Sequence, residues 1–281
     1  MTKYSAGRDE IRKSMNSNSM DSEKKERKKS RTVYESLMIA FAMYSRIPVS
    51  QVEWTAEGMK YALCFFPLIG VVMGGVMVGF DWAAQKVALG KIAYACIGTG
   101  LPVLLTGGIH MDGFLDVVDA RSSCQPAKRK LEIMKDPHTG AFAILGCSVY
   151  LLLYLAAFSE LKEKAFPAVA GIYVLERALS GWSVVSWPKA RAEGLVSTFA
   201  KGAQTRVVQI SMIVWGMAAV FFLFCIGGWL VGLFTVSAAV VIFIWYHRMI
   251  LREFGGITGD LAGYFLQLCE LGMLGALAVV C

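Results

Sequence analysis

Residues 61–80 read YALCFFPLIGVVMGGVMVGF, a run of twenty residues without a charged side chain. A helix that crosses a bilayer needs about 20 mostly apolar residues, so this run predicts a transmembrane helix. Comparable runs follow it, and their many small residues are typical of helices that pack closely in lipid. They lie at 92–111, 141–158, 166–187, 207–225, 227–246 and 260–280. The sequence therefore predicts an all-α, polytopic integral membrane protein with six to seven transmembrane helices.

The composition supports the membrane class. Of the 281 residues, 56% are hydrophobic and only 17% are charged, against about 25% charged residues in an average soluble protein. The mean hydropathy is +0.53. The net charge of +7 does not indicate nucleic acid, because ten of the 28 Lys and Arg residues fall within the first 31 positions. The seven cysteines contain no CxxC pair, so we interpret them as small buried hydrophobic residues.

The chain divides into a tail and one domain. Residues 1–32 are rich in Ser, Asn, Lys and Glu, which predicts a disordered basic tail that anionic lipid attracts. Residues 33–47 are amphipathic and precede Pro48, which predicts an N-terminal interfacial helix. The tail has no apolar core typical of a cleavable signal peptide. Residues 33–281 are expected to form a single membrane-embedded helical domain.

The distribution of Lys and Arg predicts how the chain is inserted. With the tail in the cytoplasm, the inner loops carry eleven Lys and Arg residues and the outer loops carry four. This bias follows the positive-inside rule and places the C-terminus outside. If 207–225 and 227–246 formed one bent element, the C-terminus would lie on the cytoplasmic side instead.

Three aspartates stand close together at 107–120, GGIHMDGFLDVVDA. If this stretch continues the helix of 92–111, then Asp112, Asp116 and Asp119 have i, i+4, i+7 spacing and fall within about 60° of one another on one face. Such like charges repel unless a cation offsets them. Carboxylate oxygens suit Mg²⁺ beside a substrate phosphate, which is an arrangement for phosphoryl transfer. The alternative is an ordinary helix end with solvated acids.

A second motif, GGITGD at 255–260, is predicted on the same side of the membrane. Glycines let a backbone approach a ligand closely, and a helix N-terminus offers free N–H groups to an anion. Thr258 can cap that helix. Asp260 would then add a carboxylate from a second helix, although the motif alone could be no more than a helix cap. Asp136 lies in the loop at the same membrane face.

Other polar residues leave alternatives open. Glu176 and Arg177 lie about ten residues into a predicted span, where ionisable residues are either functional or paired internally. Glu270 lies at a similar depth and could be the partner of Arg177. His110 could be a metal ligand, a phosphate contact or a satisfied interfacial histidine. His138 is expected to be solvated unless its loop folds over the site.

These motifs together resemble the cobalamin synthases, the adenosylcobinamide-GDP ribazoletransferases. The resemblance covers about residues 34–280 and leaves out only the basic tail. The stretches that carry it, in chain order, are SRIPVS (45–50), FFPLIGVVMGG (65–75), GGIHMDGFLDVVDA (107–120), LEIMKDPHTGAFAIL (131–145), Arg177 with WPKAR (187–191), and GGITGDLAGYFLQLCEL (255–271).

The resemblance implies a reaction, a metal and a set of site residues. It implies an Mg²⁺-dependent enzyme in the cytoplasmic membrane of a prokaryote, with its site facing the cytoplasm. The enzyme joins adenosylcobinamide-GDP to α-ribazole or its 5′-phosphate and releases GMP. Membrane lipid is an expected partner, nucleic acid is not, and homo-oligomers are left open. The catalytic candidates are Asp112, Asp116, Asp119, Asp136 and Asp260. The metal candidates are Asp112, Asp116, Asp119 and Asp260. The substrate-binding candidates are His110, Lys135, His138, Gly140, Arg177, Thr258, Gly259 and Glu270.

Three positions depart from the family pattern. Ala120 stands where relatives often have glycine, and His138 stands where an arginine is usual. A protonated histidine could replace that arginine as a phosphate contact. Gln267 replaces a frequent glutamate, which leaves Glu270 as the carboxylate in the middle of the last span.

Rival classes fit the sequence less well. CDP-alcohol phosphotransferases also place aspartates on membrane helices, but their longer D-G-x-x-A-R pattern fails after Asp112–Gly113. A transporter would use the intramembrane acids as an ion path, yet the two motif regions show no matching repeats. A scaffold without chemistry gives no reason for several acids at one membrane face.

Overall fold

The computed structural model describes residues 28–162, 165–191 and 203–280. Within these ranges the secondary structure is helical, and an isolated bridge between Lys189 and Ile257 is the one extended pairing. The expected all-α fold is thus confirmed. The helices are α1 (28–44), α2 (Ala56–Met59), α3 (Phe66–Lys86), α4 (Lys91–Thr106), α5 (Ile109–Ser122), α6 (Ala127–Ile133), α7 (Ala141–Ser159), α8 (Phe166–Ser186), α9 (Thr205–Glu253) and α10 (Gly259–Val280), with a 3-10 turn at Ala62–Phe65.

The described helices are long and apolar enough for a polytopic membrane protein. Five of them qualify as spans: the element Ala56–Lys86 that contains α3, and α7, α8, α9 and α10. A sixth arises if α4 and α5 are counted as one bent unit. Large apolar side chains face outward, including Leu152 at 65% and Phe221 at 71% exposure, as a lipid-facing surface requires.

Helix α9 reverses direction at Gly228. This glycine has φ 75° and ψ −177°, which no helix contains. An added Cβ on Gly232 would lie 2.6 Å from the ring of Phe224, although eight residues of straight helix would separate the two by about 12 Å. The two halves therefore lie side by side as a hairpin. The predicted break between 207–225 and 227–246 is confirmed.

The join between α4 and α5 differs from the prediction. The sequence interpretation continued one helix from 92–111 into the aspartates, but α4 ends at Thr106 and α5 leaves it at an angle of 96°. Gly107 and Gly108 both have positive φ, 66° and 79°. Left-handed glycines end a helix, so the continuous helix was wrong while the helical aspartate segment was right.

The predicted interfacial helix at 33–47 is seen as α1, which covers residues 28–44. Its Ile39 and Ala40 are fully buried, and the N–H of Arg46 beyond its end donates to the carbonyl oxygen of Leu105 at 2.8 Å. The helix is therefore fixed against the end of α4. Residues 1–27 of the predicted tail over 1–32 lie outside the described residues. Residues 28–32 belong to α1.

Helices α3 and α8 pack closely against each other. A Cβ on Gly70 would lie 2.4 Å from the carbonyl oxygen of Tyr173, and one on Gly74 would lie 2.6 Å from the Cα of Ala170. These small residues let the two backbones touch, as is common where helices associate in lipid. Gly75 and Gly79 of the same helix have nothing within 4 Å of an added Cβ.

Two adjacent glycines of α3 give a matched test of this packing. Gly74→Val should destabilise the bundle by about 1–3 kcal/mol, since the added carbons meet the α8 backbone. Gly75→Val should have a much smaller effect, because nothing lies within 4 Å of a Cβ there. Thermal unfolding of the detergent-solubilised protein measures both, and equal shifts in the two variants would contradict the α3–α8 contact.

Candidate active site

Helices α5 and α10 cross with their backbones in contact. A Cβ on Gly113 would lie 2.8 Å from both the Cα and the carbonyl oxygen of Asp260. A Cβ on Gly263 would lie 3.1 Å from the carbonyl oxygen of His110. A side chain at position 113 would collide with the Asp260 backbone and one at position 263 would be tightly packed, so glycine at both positions permits the close approach. The crossing places Asp260 beside the first turns of α5.

This crossing completes an aspartate face, which we define as Asp112, Asp116 and Asp119 of α5 with Asp260 of α10. Asp112 is exposed and the other three are half-buried. Asp116 occupies the centre, where the carboxylates of the other three oppose its negative charge. The predicted grouping of acids from two distant motifs is therefore present in the fold.

The aspartate face is an open set of ligands rather than a closed cage. In the described part of the chain, none of its four carboxylates forms an ion pair with a lysine or arginine. No three His, Cys, Asp or Glu side chains among those residues converge tightly enough to enclose a metal by themselves. Mg²⁺ usually keeps several waters and shares phosphate oxygens, so it needs only a few protein oxygens. The residues present fit Mg²⁺ that is held jointly with a substrate.

The glycine loop before α10 is tied to the segment after α8. Ile257 donates its N–H to the carbonyl oxygen of Pro188 at 2.8 Å and accepts from the N–H of Ala190 at 3.1 Å. A Cβ on Gly256 would lie 2.6 Å from that same carbonyl oxygen. At the start of α10, Thr258 caps the helix by accepting from the N–H of Leu261 at 3.2 Å, as expected from the sequence.

That pairing carries Arg191 to the aspartate face. Its guanidinium donates to the carbonyl oxygen of Leu131 and attracts the charges of Asp116 and Asp260. Its Nε is buried without a hydrogen-bond partner. A cation with an unused donor beside carboxylates is suited to bind a phosphate group. In the sequence, Arg191 is the last residue of the WPKAR stretch, and no role was predicted for it.

The loop 135–140 reaches the site through Gly140. A Cβ on Gly140 would lie 2.1 Å from Oδ1 of Asp119, so that carboxylate lies directly against the start of α7. Lys135, Asp136 and His138 are exposed. The backbone N–H of His138 donates to Oδ1 of Asp136 at 3.0 Å, and the ring Nδ1 of His138 lies 2.7 Å from the same oxygen. These contacts hold the pKa of Asp136 below its ordinary value. The structure leaves these three side chains in an exposed turn.

Arg177 and Glu270 lie inside the bundle. They are only 1% and 3% exposed. Arg177 pairs with its neighbour Glu176, whereas Glu270 accepts from the hydroxyl of Tyr154 at 2.7 Å. The structure does not show the suggested pairing of Arg177 with Glu270. Arg177 instead bonds to Glu176 of its own helix and to Sδ of Met73 on α3. The structure does not bring either side chain to the aspartate face.

His110 is also buried, at 5% exposure. Its ring lies 6.5 Å from the ring of Tyr44 and 6.0 Å from that of Phe66. Its Nε2 has no hydrogen-bond partner in the described residues. The Nε2 of His110 therefore lacks the hydrogen bond expected of a purely structural interfacial histidine. Its role as a ligand stays a prediction.

A charged cluster fixes the helix ends around the site. Arg121 of α5 donates to both carboxylate oxygens of Glu253 at 3.0 and 3.2 Å and to the hydroxyl of Tyr264 at 2.8 Å. Lys130 of α6 donates to Glu253 at 2.7 Å. One carboxylate thus ties α5, α6 and the end of α9 together. Sequence reasoning missed this cluster because 132 residues separate Arg121 from Glu253.

Known proteins resemble this chain over nearly the whole described region. The family model for cobalamin-5-phosphate synthase matches residues 36–278. A curated relative from Lachnoclostridium phytofermentans is 47% identical, covering 87% of this chain and 93% of the relative. Relatives from Desulfitobacterium hafniense (33%; 84% and 93%) and Pseudomonas savastanoi pv. phaseolicola (32%; 80% and 90%) are also similar. All three are described as adenosylcobinamide-GDP ribazoletransferase. No solved structure matches.

The Arg121–Glu253 cluster predicts a difference between two glutamates. Glu253→Gln should lower the free energy of unfolding by about 1–2 kcal/mol, because it weakens charge-assisted hydrogen bonds to two cations. Glu132→Gln is the control, since Glu132 pairs with Arg129 on the exposed surface of α6 and such pairs contribute less than about 1 kcal/mol. Unfolding in detergent measures both. Equal stability of the two variants would mean that the cluster does not fix the helix ends.

Proposed function

We propose a reaction and a site for this chain, which belongs to the cobalamin-5-phosphate synthase family. The chain is an adenosylcobinamide-GDP ribazoletransferase of cobalamin biosynthesis. It transfers the phosphocobinamide group of adenosylcobinamide-GDP to α-ribazole or α-ribazole 5′-phosphate and releases GMP. The structural observation that carries the site assignment is the meeting of α5 and α10, which unites aspartates from two motifs on one face.

The aspartate face is the place for a metal ion. Asp112, Asp116, Asp119 and Asp260 would hold Mg²⁺ together with oxygens of the substrate pyrophosphate. When bound, Mg²⁺ supplies charge neutralisation at the pyrophosphate as the leaving group gains negative charge. The lack of lysine or arginine ion pairs to these four carboxylates in the described ranges supports this assignment, because no side-chain cation takes the place of the metal ion there.

The bond changes follow from the two substrates. A ribose hydroxyl of α-ribazole attacks the phosphorus on the cobinamide side of the pyrophosphate. The bond from that phosphorus to the bridging oxygen breaks, and GMP leaves in line. We assign the hydroxyl proton to a carboxylate oxygen of Asp119 that is not bound to the metal, since Asp119 stands at the end of the face. The position of Asp119 depends on Gly140, because a side chain there would collide with the Asp119 carboxylate.

Positive groups around the face would hold the phosphates. Arg191 already attracts Asp116 and Asp260 and has a free donor. The first turn of α10, which begins at Gly259, offers backbone N–H groups to an anion. Thr258 fixes that turn as its cap. Arg191 is thus a candidate phosphate contact that lies on a different element from the aspartates.

The site opens at the cytoplasmic face of the membrane. The α4–α5 bend, the loop at Gly140, the segment at Arg191 and the start of α10 all contribute to one site at one end of the bundle. That end carries most of the loop Lys and Arg residues, so we place it at the cytoplasmic face of the cytoplasmic membrane. Both substrates are polar, which suits a site open to the cytoplasm, and membrane lipid surrounds the spans.

Reconstitution tests the reaction directly. The purified protein in detergent receives adenosylcobinamide-GDP, α-ribazole and Mg²⁺, and chromatography follows GMP and the new cobamide in equal amounts. We expect both products only when both substrates are present. GMP without a cobamide would indicate hydrolysis, and no GMP from well-folded protein would overturn the assignment.

Asp116→Asn should lower the rate of cobamide formation by about 100-fold or more, because the central carboxylate of the face loses its charge. Asp81→Asn is the matched control. Asp81 accepts from Tyr94 and Gln85 in a separate contact between α3 and α4, so turnover there should stay near wild type. Wild-type turnover of a folded Asp116→Asn protein would remove the face from catalysis.

Asp260→Ala tests whether the second helix contributes to the metal. We expect the Mg²⁺ concentration for half-maximal rate to rise by roughly ten-fold or more, since one oxygen ligand is lost. The measurement is a rate titration with Mg²⁺ at saturating substrates. An Mg²⁺ titration identical to that of wild type would exclude Asp260 as a ligand even if the maximal rate falls.

A further inference from the structure

A cavity of about 650 Å³ lies next to the aspartate face, between the end of α1 and the α4–α5 bend. We call it the bend cavity and define it by Ala42, Arg46, Val103, Gly107, Asp112 and Leu115 among its lining residues. Asp112 belongs to both the cavity and the aspartate face. A ligand in the cavity would therefore reach the proposed reaction centre.

Arg46 gives the bend cavity a free positive charge. Its side chain is exposed, and no carboxylate lies within ion-pair distance of it in the described part of the chain. Its backbone is fixed by the hydrogen bond to Leu105. A Cβ on Gly107 would lie 2.3 Å from its Cγ and 2.6 Å from its Nε. The guanidinium is thus held against the bend with its donors available, as in a phosphate-binding arginine.

The remaining walls suit a nucleoside phosphate. Gly107 and Gly108 form the turn into α5, whose first N–H groups have no partners within the helix. Val103, Met111 and Leu115 add apolar side chains against which a purine ring could pack. Ligand pockets commonly measure about 300–1,000 Å³, so the volume is sufficient for one nucleotide. A corrinoid ring system is larger and would lie outside.

We propose that the bend cavity binds the guanosine monophosphate half of adenosylcobinamide-GDP, with Arg46 contacting the phosphate that leaves as GMP. The proposal rests on the reaction assigned above and adds a subsite to it. The bond that breaks would then lie between the bend cavity and the aspartate face. The phosphocobinamide half would extend to the other side of Asp112.

Binding of GMP and steady-state kinetics test the subsite together. Arg46→Gln should weaken GMP binding, measured by calorimetry with Mg²⁺ present, by about ten-fold or more. The KM for adenosylcobinamide-GDP should rise in parallel, while the KM for α-ribazole stays unchanged. Arg46→Lys should restore part of the affinity, because the charge remains. The control is Arg252→Gln, an exposed arginine near the end of α9, which should bind GMP as wild type does.

A second variant separates binding from folding. Ala42→Phe fills the bend cavity from α1 without changing charge, and it should also weaken GMP binding while the melting temperature stays near wild type. Unchanged GMP affinity in either Arg46→Gln or Ala42→Phe would overturn the subsite. A rise in the KM for α-ribazole alone would also overturn it, by placing the acceptor there. Failure of the assigned reaction would show separately, as a wild-type protein that forms no cobamide from both substrates.

Discussion

The site depends on one backbone contact, the crossing of α5 and α10 at Gly113 and Asp260. The three aspartates of α5 make a charged helix face by themselves, and such a face could be merely solvated. The crossing adds a fourth carboxylate from a segment that lies almost 150 residues later in the sequence. It also brings the cap of α10 and the paired segment with Arg191 to the same place. Any side chain at position 113 would separate these parts.

Strong like-charge repulsion at the face must be resisted by the surrounding helices. The Arg121–Glu253–Lys130 cluster supplies part of that resistance at the helix ends. Deeper in the bundle, Arg177 pairs with Glu176 of its own helix and donates to Sδ of Met73 on α3. Tyr154 of α7 donates to Glu270 of α10, which is a polar contact between two spans. Buried charges need such partners, since an unpaired charge in the bilayer interior is costly. We therefore assign the deep network to the support of α8 and α10 rather than to contact with the substrates.

The spans and the acidic helix face were predictable because both follow from local periodicity. Twenty apolar residues predict a span, and aspartates at 112, 116 and 119 share a face in any α-helix. The 96° bend was not predictable, since Gly107–Gly108 could also have continued a membrane helix. The contacts of Arg46 with Leu105 and Gly107 at this bend join segments that are distant in sequence. The roles of Arg121, Glu253 and Arg191 were missed for another reason. Each looks like an ordinary loop charge until the fold brings its distant partners together.

We propose above all that carboxylates from α5 and α10 bind one metal ion together with the substrate. Mn²⁺ in place of Mg²⁺ allows this to be measured by electron paramagnetic resonance on the purified protein with adenosylcobinamide-GDP and no acceptor. We expect wild type and Asp81→Asn to bind Mn²⁺ tightly, and Asp116→Asn and Asp260→Ala both to lose that binding. Loss in Asp116→Asn with full binding in Asp260→Ala would contradict a site shared by the two helices.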